Sequence, residues 1–64
     1  MNLIQLEYLR ALIAYGNFSN AAQKLEISQP AISLQIRKLE DELGFKLINR
    51  NKRPLQLTEE GEVY

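Results

Sequence analysis

Residues 18–39 read FSNAAQKLEISQPAISLQIRKL, and this stretch decides the fold. Two helical patterns flank a turn. Phe18, Ala21, Ala22 and Leu25 recur at spacings of three and four, so they share one helix face. Ser19 is the expected N-cap of that helix. The small side chain of Ala22 admits a second helix at close range. Glu26 and Ile27 form the turn, with Ile27 as its apolar anchor. Ser28 caps the second helix, and Pro30 falls in its first turn, where a missing N–H is no loss. Ile32, Ile36, Leu39 and Leu43 follow at i, i+4, i+7 and i+11. At about 100° per residue they form one narrow stripe. Gly44 supplies the C-cap.

The opposite face of the second helix carries the chemistry. Pro30, Leu34 and Arg37 point away from the stripe, Ser33 and Lys38 flank them, and Gln29 projects from the first turn. Amides, hydroxyls and guanidinium groups are the groups that read base edges. Helix N-termini also favour phosphate. Glu40, Asp41 and Glu42 cluster at the far end and read as a solvated, exposed cap that would repel phosphate. For one helix alone, a solvated amphipathic helix is the simpler reading. The preceding helix, the short turn and the following basic loop reverse that preference. The pattern is a helix-turn-helix whose second helix, residues 29–43, enters the major groove of DNA.

Outward from this unit, residues 2–15 form the first helix. Leu6, Leu9, Leu12 and Ile13 give its expected inward stripe, with Leu3 extending it, and Gly16-Asn17 stops it. Ile4 and Tyr8 border a second face suited to a partner. Residues 45–57, FKLINRNKRPLQL, change period. Phe45 alternates with Leu47, and Leu55 with Leu57, around the polar stretch NRNKR. This predicts a two-stranded hairpin with Pro54 at the start of an edge strand. Arg50, Lys52 and Arg53 sit at its tip. Beside a helix-turn-helix, such a tip is a wing that reaches the backbone or the minor groove. Thr58 caps a fourth helix, with Glu59 and Glu60 at its positive end.

The bulk numbers bound the function. Sixty-four residues make one small domain with a modest core. There is no cysteine and no histidine, which removes disulfides, most zinc sites and the usual general base. No apolar run exceeds five residues, Ala11 to Tyr15, too short for a membrane span or a signal-peptide core. No Gly-rich phosphate loop or apolar carboxylate pair is present, so no enzymatic activity is expected. A cytoplasmic, nucleoid-associated location fits this composition. Net charge is zero, yet the charges are polarised along the chain. Residues 28–57 hold six cations against three acids, while residues 58–64 hold three acids and no cation. A local basic surface is what phosphate responds to.

With these residues in hand, the chain closely resembles the N-terminal DNA-binding domain of LysR-type transcriptional regulators. The resemblance covers essentially the whole chain. It rests on FSNAAQKLEISQPAISLQIRKLEDELG, then KLINR, then LTEEG. It implies a mainly α winged helix-turn-helix, a three-helix core plus a small β-hairpin, over residues 1–57. Residues 58–64 then begin a longer linker helix that pairs two chains. It implies binding to double-stranded DNA at interrupted palindromes, as homodimers or tetramers. No cofactor is implied in this domain; a small-molecule effector would bind a separate C-terminal domain. By position, Gln29, Pro30 and Ser33 match family positions at the DNA, Arg37 fits a phosphate contact, and Arg50 and Arg53 match wing positions. Leu34 departs from the many relatives with Arg or Lys there.

The expected DNA-facing set is therefore Ser28, Gln29, Pro30, Ser33, Leu34, Arg37 and Lys38 on the recognition helix, and Arg50, Lys52 and Arg53 on the wing. The expected helix-turn-helix core is Phe18, Ala22, Leu25, Ile27, Ile32, Ile36 and Leu39. The competing reading is a winged-helix protein-interaction module that uses the same faces without DNA. The basic wing argues against it.

Overall fold

The computed structural model describes residues 2–63. Within them the order is α1 (Leu3–Tyr15), α2 (Phe18–Leu25), α3 (Gln29–Leu43), β1 (Ile48–Asn49), β2 (Gln56–Leu57) and α4 (Glu59–Val63). The strands pair antiparallel, Ile48 opposite Leu57 and Asn49 opposite Gln56. This is the winged helix-turn-helix that the sequence predicts.

Local chemistry sets each helix boundary. Asn2 and Gln5 close a capping box on α1, each side chain accepting the other's backbone N–H at 2.8 and 3.2 Å. Gly16 ends α1 in the left-handed region at φ 79°. The chain leaves it extended at Asn17, whose side chain accepts the N–H of Asn20 at 2.7 Å. Asn17, not Ser19, therefore caps α2; Ser19 lies exposed within the helix. Glu26 makes the turn in the left-handed region. Ser28 then accepts the N–H of Ala31 at 3.2 Å, with Pro30 in the first turn of α3. Gly44 ends α3, as expected from sequence.

The core gathers Leu12 of α1, Ala21 and Ala22 of α2, Ile32, Ile36 and Leu39 of α3, and Leu47, Ile48 and Leu55 of the hairpin. Phe18, Leu25 and Ile27 are half-buried against it. The inward face of α1 differs from expectation. Leu3 is 83% exposed and Ile13 36% exposed. Leu12 is buried and Leu9 packs against the core as expected, but Gln5, Tyr8 and Ala11 join them in place of Leu3 and Ile13, a turn of about 100° around the helix. Gln5 can occupy an interior place because the capping box and a contact to Gln35 satisfy its amide.

The hairpin also differs. Its ladder is only two residues per strand, and Leu47 and Ile48 are buried in succession rather than alternating. The cause is where the backbone groups find partners. Leu55 donates its N–H to the Gly16 carbonyl at 2.8 Å, and Thr58 donates to the Leu47 carbonyl at 2.8 Å. Leu47 and Ile48 donate to a side chain of α3. Pro54 sits outside β2, against Gly16. Thr58 caps α4 as expected, accepting the N–H of Gly61 at 3.0 Å while its hydroxyl donates to the Lys46 carbonyl.

Candidate nucleic-acid interface

Burial of Ile32, Ile36 and Leu39 dictates the rest of α3. With those three inside, Gln29, Pro30, Leu34, Arg37 and Lys38 are all exposed, and Ser33 is half-buried beside them. Gln29, Pro30 and Ser33 line a shallow recess of about 300 Å³ at the start of the helix. Ser28 is exposed, but its hydroxyl oxygen is already engaged as the N-cap. Leu34 stands 48% exposed among polar neighbours, one turn after Pro30. The face therefore offers an amide, a hydroxyl, an apolar projection and two cations, a set suited to base edges and phosphate.

The wing cations are placed differently from one another. Lys52 is exposed at the tip. Arg53 is exposed too, but its Nη1 donates to the carbonyls of Arg50 at 2.6 Å and Lys52 at 2.9 Å, closing the tip upon itself. Asn51 donates its N–H to the Asn49 side chain at 3.1 Å and reinforces that turn. Arg50 is drawn back towards the helices. Its guanidinium lies 4.6 Å from the centre of the Phe18 ring, and its Nη2 is 3.8 Å from Glu40 Oε1.

Glu40 corrects the sequence expectation most. It is not part of an exposed acidic cap; it is 3% exposed. Its Oε2 accepts the N–H groups of Leu47 at 2.8 Å and Ile48 at 3.2 Å. Only Asp41 and Glu42 remain on the surface at that end of α3. The signal was present in the sequence. Glu40 follows Ile36 by four residues and so borders the buried stripe, about 40° from it. Position on the helix, not charge type, decides its burial.

Residues 3–62 match the model of the family described as bacterial regulatory helix-turn-helix protein, lysR family. The chain belongs to that family. Among relatives in the LysR family, it is 51% identical over 61 residues to the hydrogen peroxide-inducible genes activator of Haemophilus influenzae, covering 95% of this chain and 20% of that protein. It is 48% identical over 62 residues to the probable RuBisCO transcriptional regulator of Cyanidioschyzon merolae, covering 97% and 20%. The chain thus spans about a fifth of the length of the curated LysR relatives it matches. The fold superposes on the DNA-binding domain of BenM, solved with catB site 1 DNA, with a TM-score of 0.90 at 44% identity, covering 98% of this chain and 68% of that one. It superposes likewise on the CbnR DNA-binding domain in complex with DNA, with a TM-score of 0.87 at 40% identity, covering 98% and 72%.

Proposed function

We propose that this chain is the sequence-specific DNA-binding domain of a LysR-type transcriptional regulator, with α3 in the major groove and the wing at the backbone or minor groove. The observation that carries it is the exposed face of α3. A helix that buries Ile32, Ile36 and Leu39 presents Gln29, Pro30, Ser33, Leu34 and Arg37 together, next to a basic hairpin. The likeness to two LysR-family domains solved on DNA supports the same orientation. The reading is of a binding module without catalysis. In the whole regulator, α4 would continue as a linker helix that pairs two chains on an interrupted palindrome. A small-molecule effector would bind a separate domain, and the protein would work in the cytoplasm, on the nucleoid. Among the described residues, no helix is long and apolar enough to cross a membrane, which is compatible with that placement.

The test is a titration with a duplex selected from a randomised pool and with a scrambled duplex, each over a series of salt concentrations. Both should bind, the selected one more tightly, and both should weaken as salt rises. Arg37→Met should reduce the slope of log affinity against log salt by about 0.9, the value for one lost phosphate contact. Absence of affinity for either duplex at low salt would overturn the proposal.

A further inference from the structure

We infer that Glu40 and Arg50 are positioning residues of the wing, and that the wing's phosphate contact falls to Lys52. This rests on the DNA-binding reading above.

Glu40 sits in the last turns of α3, the helix that meets the bases. One of its oxygens holds the N–H groups of Leu47 and Ile48, where the chain enters β1. The recognition helix thus grips the root of the wing directly. The other oxygen, Oε1, is buried and accepts no hydrogen bond among the described residues. The counter-charge facing it is Arg50, 3.8 Å away. The same guanidinium lies over Phe18, the first residue of α2. Arg50 therefore ties three elements together: the wing that bears it, the end of α3 and the start of α2.

Moving Arg50 onto a DNA phosphate would undo this arrangement. The buried carboxylate would lose its counter-charge, a strongly unfavourable state. The contact with the Phe18 face would be lost as well. Lys52 carries no such obligation. It is exposed, and its ammonium has no partner among the described residues. Arg53 lies between these cases, since one of its nitrogens already serves two tip carbonyls.

Electrostatics alone predicts the opposite sign from positioning for one variant. Glu40→Gln adds a unit of net positive charge and frees Arg50. If Arg50 were a phosphate contact, DNA affinity would rise. If Glu40 and Arg50 hold the wing in place, affinity falls. The experiment measures affinity for a random-sequence duplex across a salt series. It compares the wild-type chain with Glu40→Gln, Arg50→Met, Lys52→Met, and each of the first two combined with Lys52→Met. Circular dichroism checks folding.

The expected result is about a threefold to tenfold loss for Glu40→Gln and for Arg50→Met, in the range of coupled neighbours. Neither change should have a further effect once Lys52 is replaced. The salt slope of the Arg50→Met, Lys52→Met pair should match that of Lys52→Met alone, about 0.9 below wild type. Tighter or unchanged binding by Glu40→Gln overturns the inference. So does a double variant whose slope falls by about 1.8, the mark of two independent phosphate contacts. Should Glu40→Gln fail to fold, the salt slope of the Arg50→Met, Lys52→Met pair against that of Lys52→Met decides the matter, since the Arg50 side chain is 42% exposed and tolerates replacement. A wild-type chain that binds no duplex overturns the DNA-binding reading itself, before any variant is compared.

Discussion

Gly16 and Gly44 share nearly the same left-handed backbone, at φ 79° and 82°, in very different surroundings. A Cβ on Gly16 would lie 2.7 Å from the Cβ of Pro54, whereas one on Gly44 would meet nothing within 4 Å. Gly44→Ala should therefore lose only the backbone term, about 1–2 kcal/mol. Gly16→Ala should lose clearly more, because the returning strand must also shift. Urea unfolding of both variants checks this, and equal losses would show that Pro54 yields freely. Leu34 makes the second prediction at this scale. It is half-exposed on the face proposed to meet bases, and its carbons suit a thymine methyl group. Replacing the facing thymine by uracil should weaken binding by about 1 kcal/mol, near the low end of a good base contact. No change at any thymine of the half-site would leave Leu34 an ordinary exposed leucine.

Elements show how far the sequence could be read. The α3 stripe, its Ser28 cap and its Gly44 stop were legible because each depends on residues within a few positions of one another. The outward face of α3 followed from the stripe without further information. The rotation of α1 did not, because Leu3, Ile4, Leu6, Leu9 and Ile13 put apolar residues on several faces and periodicity alone could not choose. Asn17 and Ser19 are both good caps for α2, and it is the left-handed turn at Gly16 that selects Asn17. The short ladder was hidden for another reason. The N–H groups of Leu47 and Ile48 find their acceptor in Glu40, a tertiary contact that no local pattern announces. The division of labour among the wing cations depends on that same carboxylate. Glu40→Ala would leave two buried donors without acceptors, so it should destabilise the domain by on the order of 3 kcal/mol. Thermal or denaturant unfolding measures it. A loss below that of an ordinary surface substitution would mean that water replaces the carboxylate without penalty.

At the scale of the whole molecule, the basic middle and the acidic end give a neutral chain a polar charge distribution. Leu3 and Ile4 leave apolar surface on α1, and the five residues of α4, Glu59–Val63, make about a turn and a half. The 64-residue chain should therefore sediment mainly as a monomer and bind single half-sites weakly, in about the micromolar range of non-specific contacts. A chain carrying a longer α4 should pair, engage two half-sites about one helical turn apart, and gain affinity through effective concentration. A stable dimer from these 64 residues would place pairing on the exposed Leu3 and Ile4 side chains of α1 instead; Tyr8, expected beside Ile4 on that face, packs against the core. The two anchors of the hairpin have a consequence for how such domains can diversify. Glu40 pins the chain at Leu47 and Ile48, and the Gly16 carbonyl pins it again at Leu55. Between them, the backbone of Asn51 to Arg53 bonds only within the tip. Residues inserted beside Lys52 would lengthen the reach of the wing without disturbing either anchor, since each doubling of a flexible loop costs only about 0.6 kcal/mol. Insertions after Pro54 would instead pull Leu55 from the core. Wing length is thus free to drift while the mounting of the recognition helix stays fixed.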